Sequence, residues 1–300
     1  MKIDIPELIS RAEVLVEALP YIRAFAGKIF VIKYGGQAMV SDELKASVIT
    51  DLVLLKCIGA HPVLVHGGAK EVNEMMEKLG KKPIFVNGLR VTDDETMDIV
   101  EMVLLGKVNR QIVSLVNQKG GQAVGFSGKD ANLFQARRKP PQPPADNPSG
   151  KPVDLGRVGE ITAVNPEPLL IMVDHGYIPV ISPIGAGPSG ESLNINADHV
   201  AGELAVALKA EKFILLTDVE GIYRLENRQE PVFLSAIQGA EAREMIRKGQ
   251  INGGMIPKVE SCLQVIEHGI SKAHIIDGRI PHSILLEVFT DRGIGTMVAR

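Results

Sequence analysis

Two stretches of one design constrain this chain more than anything else in it. Residues Ile29 to Gly36 read IFVIKYGG, and Pro62 to Ala69 read PVLVHGGA. Each is an apolar, β-branched run that ends in paired glycines and leads into a helical pattern. Runs apolar on both faces are what a parallel sheet buried between helices demands. Lys28 to Lys33 is the first such strand, and Lys33 stands at its carboxyl end. In open α/β sheets, ligands gather beyond the carboxyl ends of strands. Glycine there bares backbone N–H groups and lets a phosphate come close. One such turn alone would equally fit a surface lysine beside an ordinary connection. Its repetition points to a phosphate site.

Three hundred residues accommodate one large α/β domain or two lobes, and 45% hydrophobic content is ample for a core. The net charge of −3 offers no basic footprint for nucleic acid. Cys57 and Cys262 are the two cysteines, each inside an amphipathic helical pattern. They read as buried thiols, not as a disulfide or metal site. No apolar run is long enough to span a membrane. Asp4, Glu7, Glu13 and Glu17 are unlike a signal or transit peptide. A soluble, cytoplasmic protein is expected.

Pro6 to Phe25 reads as a helix with two apolar faces. Leu8, Ala12, Leu15, Leu19 and Ile22 make one; Val14, Ala18, Tyr21 and Phe25 make the other. Pro20 should kink it. The helix is either an appendage or part of its own domain. Ser41 caps a helix to about Cys57, and another runs from Ala69 to Gly80. Lys82 to Val91 contains a strand ending in NGLRVT. Thr92 to Glu95 fits a capping box that opens a long helix towards Asn117. Such alternation predicts parallel βαβ units. Strands at Asn132–Arg138 and Arg157–Val164 flank the proline-rich KPPQPPADNPSG, predicting a hairpin with a long polar tip. A helix over Pro166–His175 and the strand YIPVISPI resume the pattern.

Gly185, Gly187 and Gly190 match G-x-G-x-x-G, but Glu191 stands where a P-loop has lysine, and a plain glycine-rich loop is expected. Asn196 is a good N-cap for the next helix, and Asp198 suits its positive end. The strand KFILLTDV follows. Helices are expected from Ser235 to Lys248 and from Ile256 to His268, with NGGMIPK between them. The chain closes with strand AHIID, helix HSILLEVF and strand TMVA.

The polar residues at strand ends and helix starts form one set. Glycine pairs stand at 35–36, 67–68 and 253–254, lysines at Lys33 and Lys258, and one acid, Asp198, fits between them. Glycine-cradled backbone, two lysines and no candidate nucleophile suit phosphoryl transfer, which is mostly positioning and charge neutralisation. G-x-S-x-G, H-E-x-x-H and C-x-x-C are absent.

KYGG, VHGGA, NGLRVTD, LNINAD, LLTDVEGIY and NGGMIPK, in this order, resemble the amino acid kinase family over essentially the whole chain. Within it they are most similar to members that phosphorylate the γ-carboxylate of N-acetyl-L-glutamate in arginine biosynthesis. In one departure, Ala69 replaces the third glycine after the histidine, and Lys70 follows where proline is common. Alanine still supplies an N–H, but it would be strained where φ > 0 is needed.

The resemblance implies an α/β fold, an open, mainly parallel sheet between helix layers in two lobes. Residues 26–195 would bind the acyl amino acid and dimerise, and 196–300 would bind ATP. Residues 1–25 would be an additional helix. By resemblance, Lys33 and Lys258 stabilise the transferring phosphoryl group, and Asp198 holds both lysines. Gly68 and Ala69 donate N–H groups on the substrate side, and Arg90 and Asn194 grip acetylglutamate. Gly35, Gly36, Asp218, Val219, Gly221, Tyr223, Gln250 and Asn252 border the nucleotide. Mg²⁺ arrives on the ATP phosphates, with no metal ligand assigned to the protein. In arginine-inhibited members a kinked leading helix interlaces dimers into a hexameric ring. Arginine would then bind near Tyr21, Lys209, His274, Glu287 and Gly293. A PII signalling protein is a further partner that such members imply. Carbamate, uridylate and aspartate kinases are the competing readings. A non-catalytic arginine sensor is another, against which Lys33, Asp198 and Lys258 together argue.

The chemistry agrees. A side-chain carboxylate is already ionised at neutral pH, so it needs no general base. The difficulty is bringing two anions together, which lysines, backbone N–H groups and Mg²⁺ relieve. Arg90 offers a planar fork for the α-carboxylate. The structural alternative for Arg90 is an ion pair with Asp93 or Asp94. His66 reads as a structural histidine at a strand end.

Overall fold

The apolar runs become strands of one central sheet, with the polar residues collected at their carboxyl ends. The computed structural model describes residues 5–39, 41–144, 150–224, 231–290 and 293–300. In chain order, α1 (Ile5–Phe25) precedes β1 (Ile29–Tyr34), α2 (Asp42–Cys57), β2 (His61–His66) and α3 (Ala69–Lys78). A small hairpin follows, β3 (Phe85–Val86) and β4 (Leu89–Arg90). Next comes a long helical run: α4 (Asp94–Glu101), a π-helical stretch over Met102–Asn109, and α5 (Arg110–Gln118). Then come β5 (Ala123–Phe126), β6 (Phe134–Arg138), β7 (Gly159–Val164), α6 (Glu167–Asp174) and β8 (Ile178–Ile181). β9 (Ile184–Ala186) and β10 (Ser192–Asn194) lead to α7 (Ala197–Ala207) and β11 (Lys212–Thr217). The rest is β12 (Ile222–Arg224), β13 (Val232–Leu234), β14 (Ala236–Gln238), α8 (Gly239–Arg247), α9 (Met255–Glu267), β15 (Lys272–Asp277), α10 (Ser283–Val288) and β16 (Thr296–Ala299).

Eight strands make the sheet in the order β14-β16-β15-β11-β1-β2-β8-β5. Every neighbouring pair is parallel except β15 with β16, so the expected open, mainly parallel sheet is present. Residues before 196 supply β1, β2, β8 and β5; residues after it supply the other half. The halves meet where β1 pairs with β11, from Phe30 against Lys212 to Lys33 against Leu215. Alternate residues of β1 feed opposite layers, as strand geometry requires. Val31 joins Val63, Val65 and Leu215 under α7 and α9, while Phe30 and Ile32 join Leu64 and Ile214 under α2.

A second sheet, β10-β9-β6-β7, carries the predicted excursion, with β6 and β7 antiparallel. The proline-rich tip lies partly outside the described residues. Gly185 to Ser192 forms the β9–β10 turn, where Glu191 accepts from the Ser189 N–H at 2.8 Å. It is a plain loop.

Several expectations are corrected. The segment ending in NGLRVT is a hairpin, turned by Asn87 and Gly88 at φ 52 and 76. The helix expected from Ser235 starts at Gly239, because Ala236–Gln238 pairs with β16 at the sheet edge. Asp93, not Thr92, caps α4 by accepting from the Thr96 N–H at 2.8 Å, while the Thr92 hydroxyl donates to Arg90 O. Cys57 is exposed; only Cys262 is a buried thiol.

α1 continues through Pro20, and only its last turns rest on the body. The Tyr21 ring meets Phe289 at 6.1 Å and Phe25 meets Phe30 at 5.1 Å. The first stripe is open from Leu8, 49% exposed, through Leu15, 73%, and Ile22 alone of it is half-buried; Val14 of the second stripe is open too. No described helix is long and apolar enough to cross a membrane.

Candidate functional site

The parallel strands bring their carboxyl ends to one edge, and the helix starts converge there. Lys33 stands one residue before the end of β1, Asp198 lies in the first turn of α7 and Lys258 in that of α9. Asn196 positions Asp198 by capping α7, accepting from the Asp198 N–H at 2.8 Å. Lys33 Nζ lies 3.0 Å from Asp198 Oδ1, and Lys258 Nζ donates to Oδ2, also at 3.0 Å. Lys33 meets Oδ1 as a charge without hydrogen-bond geometry, since that oxygen has no hydrogen-bond donor among the described residues. Burial pushes the Asp198 carboxyl up, but the two ammonium groups outweigh it and hold it down to about 2. Gly35 makes room for this cation: a β-carbon there would come within 2.5 Å of Lys33 Nζ.

Lys33, Gly68, Ala69, Arg90, Asn194 and Asp198 line one cavity of about 230 Å³. Gly68, at φ 148, is the N-cap of α3, and Ala69 is its first residue. Ala69 is not among the residues with positive φ, so alanine there is unstrained. Its N–H belongs to the unpaired first turn of the helix. Arg90 is buried, 7% exposed, and burial lowers its pKa. Nη1 donates to Met76 Sδ at 3.2 Å and Nη2 to Ala69 O at 3.1 Å, and the guanidinium stacks 4.8 Å from the Phe85 ring centre. Asp93 pairs with Lys81 and Asp94 with Arg157, which leaves Arg90 without a carboxylate among the described residues. Asn194 donates from Nδ2 to Thr92 Oγ1 at 3.2 Å.

The nucleotide candidates fall into two groups. Gly221, Tyr223, Gln250 and Asn252 line a second cavity of about 390 Å³. Gly35 and Gly36 lie by Lys33, with Asp218 packed against Gly36. Val219, 37% exposed, lines neither cavity. Of the regulatory candidates, His274 and Glu287 pair at 2.6 Å in the interior, and Gly293 adjoins the same carboxylate. Burial pushes Glu287 up, but His274 and the N–H groups of Ile294 and Gly295 outweigh it and lower its pKa. Tyr21 approaches through Phe289, the residue after α10. Lys209 follows the C-cap of α7 at φ 50; the lysine that meets His274, at 3.4 Å, is Lys212. Sequence reasoning passed over Lys212, although it opens the strand KFILLT. It also missed Met76, whose contact with Arg90 carries no motif, and read Thr92 as a helix cap where it accepts from Asn194.

A model of the amino acid kinase family matches residues 28–277. Acetylglutamate kinase of Pelotomaculum thermopropionicum is 56% identical over 291 residues, 97% of this chain and 98% of that protein. Acetylglutamate kinase of Methanocaldococcus jannaschii is 54% identical over 300 residues, 100% of each. Among solved structures, N-acetylglutamate synthase of Neisseria gonorrhoeae with coenzyme A and N-acetyl-glutamate superposes with a TM-score of 0.81. It is 25% identical, over 96% of this chain and 63% of that one. Carbamate kinase of Giardia lamblia shares the fold at a TM-score of 0.66 and 16% identity, over 91% of this chain and 99% of that one.

Proposed function

Since this chain belongs to the amino acid kinase family, we propose that it transfers the γ-phosphoryl group of ATP to the γ-carboxylate of N-acetyl-L-glutamate, a step of arginine biosynthesis. The observation that carries the reading is the buried Asp198 held between Lys33 and Lys258 beside a cavity that Arg90 enters with no carboxylate of its own. The substrate's two carboxylates have different tasks. Arg90 and Asn194 take the α-carboxylate end, and the γ-carboxylate attacks. A carboxylate oxygen forms the new bond to the γ-phosphorus. The bond to the β,γ-bridging oxygen breaks, and ADP leaves with its electron pair. Lys33, Lys258 and the N–H groups of Gly68 and Ala69 offset the charge that gathers on the phosphoryl oxygens. Asp198 holds the lysines and does not act as a base: at about 2 its carboxyl stays ionised through the working pH range.

ATP lies along Gly35, Gly36 and Asp218 towards the cavity of Gly221, Tyr223, Gln250 and Asn252, with Val219 nearby. Mg²⁺ brought on its phosphates would supply charge neutralisation. Residues 26–195 are the acetylglutamate lobe and 196–300 the nucleotide lobe, divided at the β1–β11 pairing. The open stripe of α1 supports interlacing of copies into a hexamer. The His274–Glu287 pair with Gly293 against it, and Tyr21 on Phe289 just after α10, support an arginine site. Glu287 would take the guanidinium, while Lys209 or Lys212 meets the carboxylate. Arginine inhibits there only if it binds a state with the lobes apart more tightly than the closed one.

An assay of ADP release with acetylglutamate, glutamate, aspartate, carbamate and UMP tests the reading. Turnover confined to acetylglutamate is expected. Turnover with another of these and none with acetylglutamate overturns it.

A further inference from the structure

His66 closes β2, and the transfer just described makes no use of it. Its side chain is wholly buried. Nδ1 lies 2.7 Å from the carbonyl oxygen of Gly67, so this nitrogen carries the proton and donates it. Nε2 is then the acceptor. Asn109 Nδ2 faces it at 3.2 Å and Ser182 Oγ at 2.9 Å, the hydroxyl having Leu104 O as its other acceptor at a longer 3.4 Å. Asn109 Nδ2 also donates to Val180 O at 2.9 Å. Burial pushes the imidazole down to about 4, with the Gly67 bond pulling weakly the other way. The ring is neutral near pH 7, and its partners select one tautomer.

We propose that His66 is a positioning residue for phosphoryl transfer: by holding the Gly67 carbonyl inward, it aims the Gly68 N–H into the cavity. This rests on reading Gly68 as a donor to the reacting groups. In a trans peptide the C=O and N–H point in opposite directions. Once the Gly67 oxygen is drawn onto the ring, the Gly68 N–H turns the other way, and Gly68 lines the cavity. No hydrogen bond among the described residues uses that N–H. The Gly67 N–H is itself tied to Tyr34 O at 2.8 Å. The dipeptide is therefore held at both ends.

The π-helical stretch completes the clamp. Leu104 presses on Gly68, where a β-carbon would come within 2.5 Å of Leu104 Cδ2. Asn109, five positions later in the same stretch, reaches the ring. In a regular α-helix, residues five apart point about 140° away from each other. π-type i→i+5 bonding puts more residues into each turn and brings them closer to one face. The irregular turn thus lets one element press the glycine and fix the histidine together.

Two substitutions separate the clamp from mere packing. His66→Gln keeps a polar group near Nε2 but loses the donor at Nδ1. His66→Asn sets an amide N–H near the old Nδ1 position. His66→Gln should lower kcat about 10–100-fold, the scale of a misaimed catalytic group, with KM for ATP and acetylglutamate within about two-fold. His66→Asn should keep kcat within about five-fold of wild type. Wild-type kcat in both variants, equal losses in both, or a loss confined to KM would overturn the proposal. If His66→Gln does not fold, Asn109→Ala serves in its place, because it removes the amide that fixes the ring and so loosens the hold on the Gly67 carbonyl. A fall in kcat at unchanged KM supports the clamp, and wild-type kcat refutes it. A wild-type enzyme inactive on acetylglutamate would instead sink the functional reading.

Discussion

Asp198 answers two lysines with a single carboxylate, and this decides what substitutions there will do. Lys258→Ala removes one cation from the transferring group, and kcat should fall about 10²–10³-fold. Stability should fall as well, by about 1–3 kcal/mol, because the buried Asp198 keeps only Lys33. Steady-state kinetics and thermal unfolding of the one variant check both. The pH dependence follows from the depressed carboxyl, about 2 against an ordinary 3.8. Its stabilisation is fully present above the ordinary value and is lost as pH falls through about 2. The stability gap between wild type and Asp198→Asn should therefore be constant above about pH 5 and narrow towards about pH 2. A gap that widens in acid would mean that Asp198 is not paired as seen. These residues were legible in the sequence because each stands where a strand ends or a helix begins. His66 was read as structural, since its link to Asn109 runs through a helical irregularity that no spacing rule announces.

The elements were legible where the pattern was long. β1, β2 and β11 followed from apolar runs, β15 from the short AHII, and α3 and α7 from their caps. Short elements escaped. β14 has three residues, too few for a period to show. The Asn-Gly signal for the β3–β4 turn was present in NGLRVT and was overlooked. The two faces of α1 were seen, but which one the body covers depends on Phe30 and Phe289, distant in sequence. That difference shapes the truncation to make. Removal of residues 1–25 would also strip Tyr21 and Phe25 from their aromatic contacts, whereas removal of 1–16 leaves them in place. The shorter deletion should keep wild-type kcat within about two-fold and sediment as a smaller assembly than the full chain. Unchanged sedimentation would show that the open stripe joins no copies.

At the scale of the whole molecule, the alternation of strands and helices made the sheet foreseeable. Its order was not, because pairing partners are chosen by tertiary packing. One pairing bears on how the chain acquires its structure at all. β1 reaches β2 through a single intervening helix, but it reaches β11 only after most of the chain has been made. Closing so distant a contact carries the larger entropic penalty and comes late in folding. Pulse-labelled hydrogen exchange during refolding should find Val63 to Val65 protected before Ile214 to Leu216. Lys33 belongs to the early half, while Asp198 and Lys258 belong to the late one. Returning enzymatic turnover would then time the formation of one ladder of hydrogen bonds, and partly folded chains would be inert however native the first half had become.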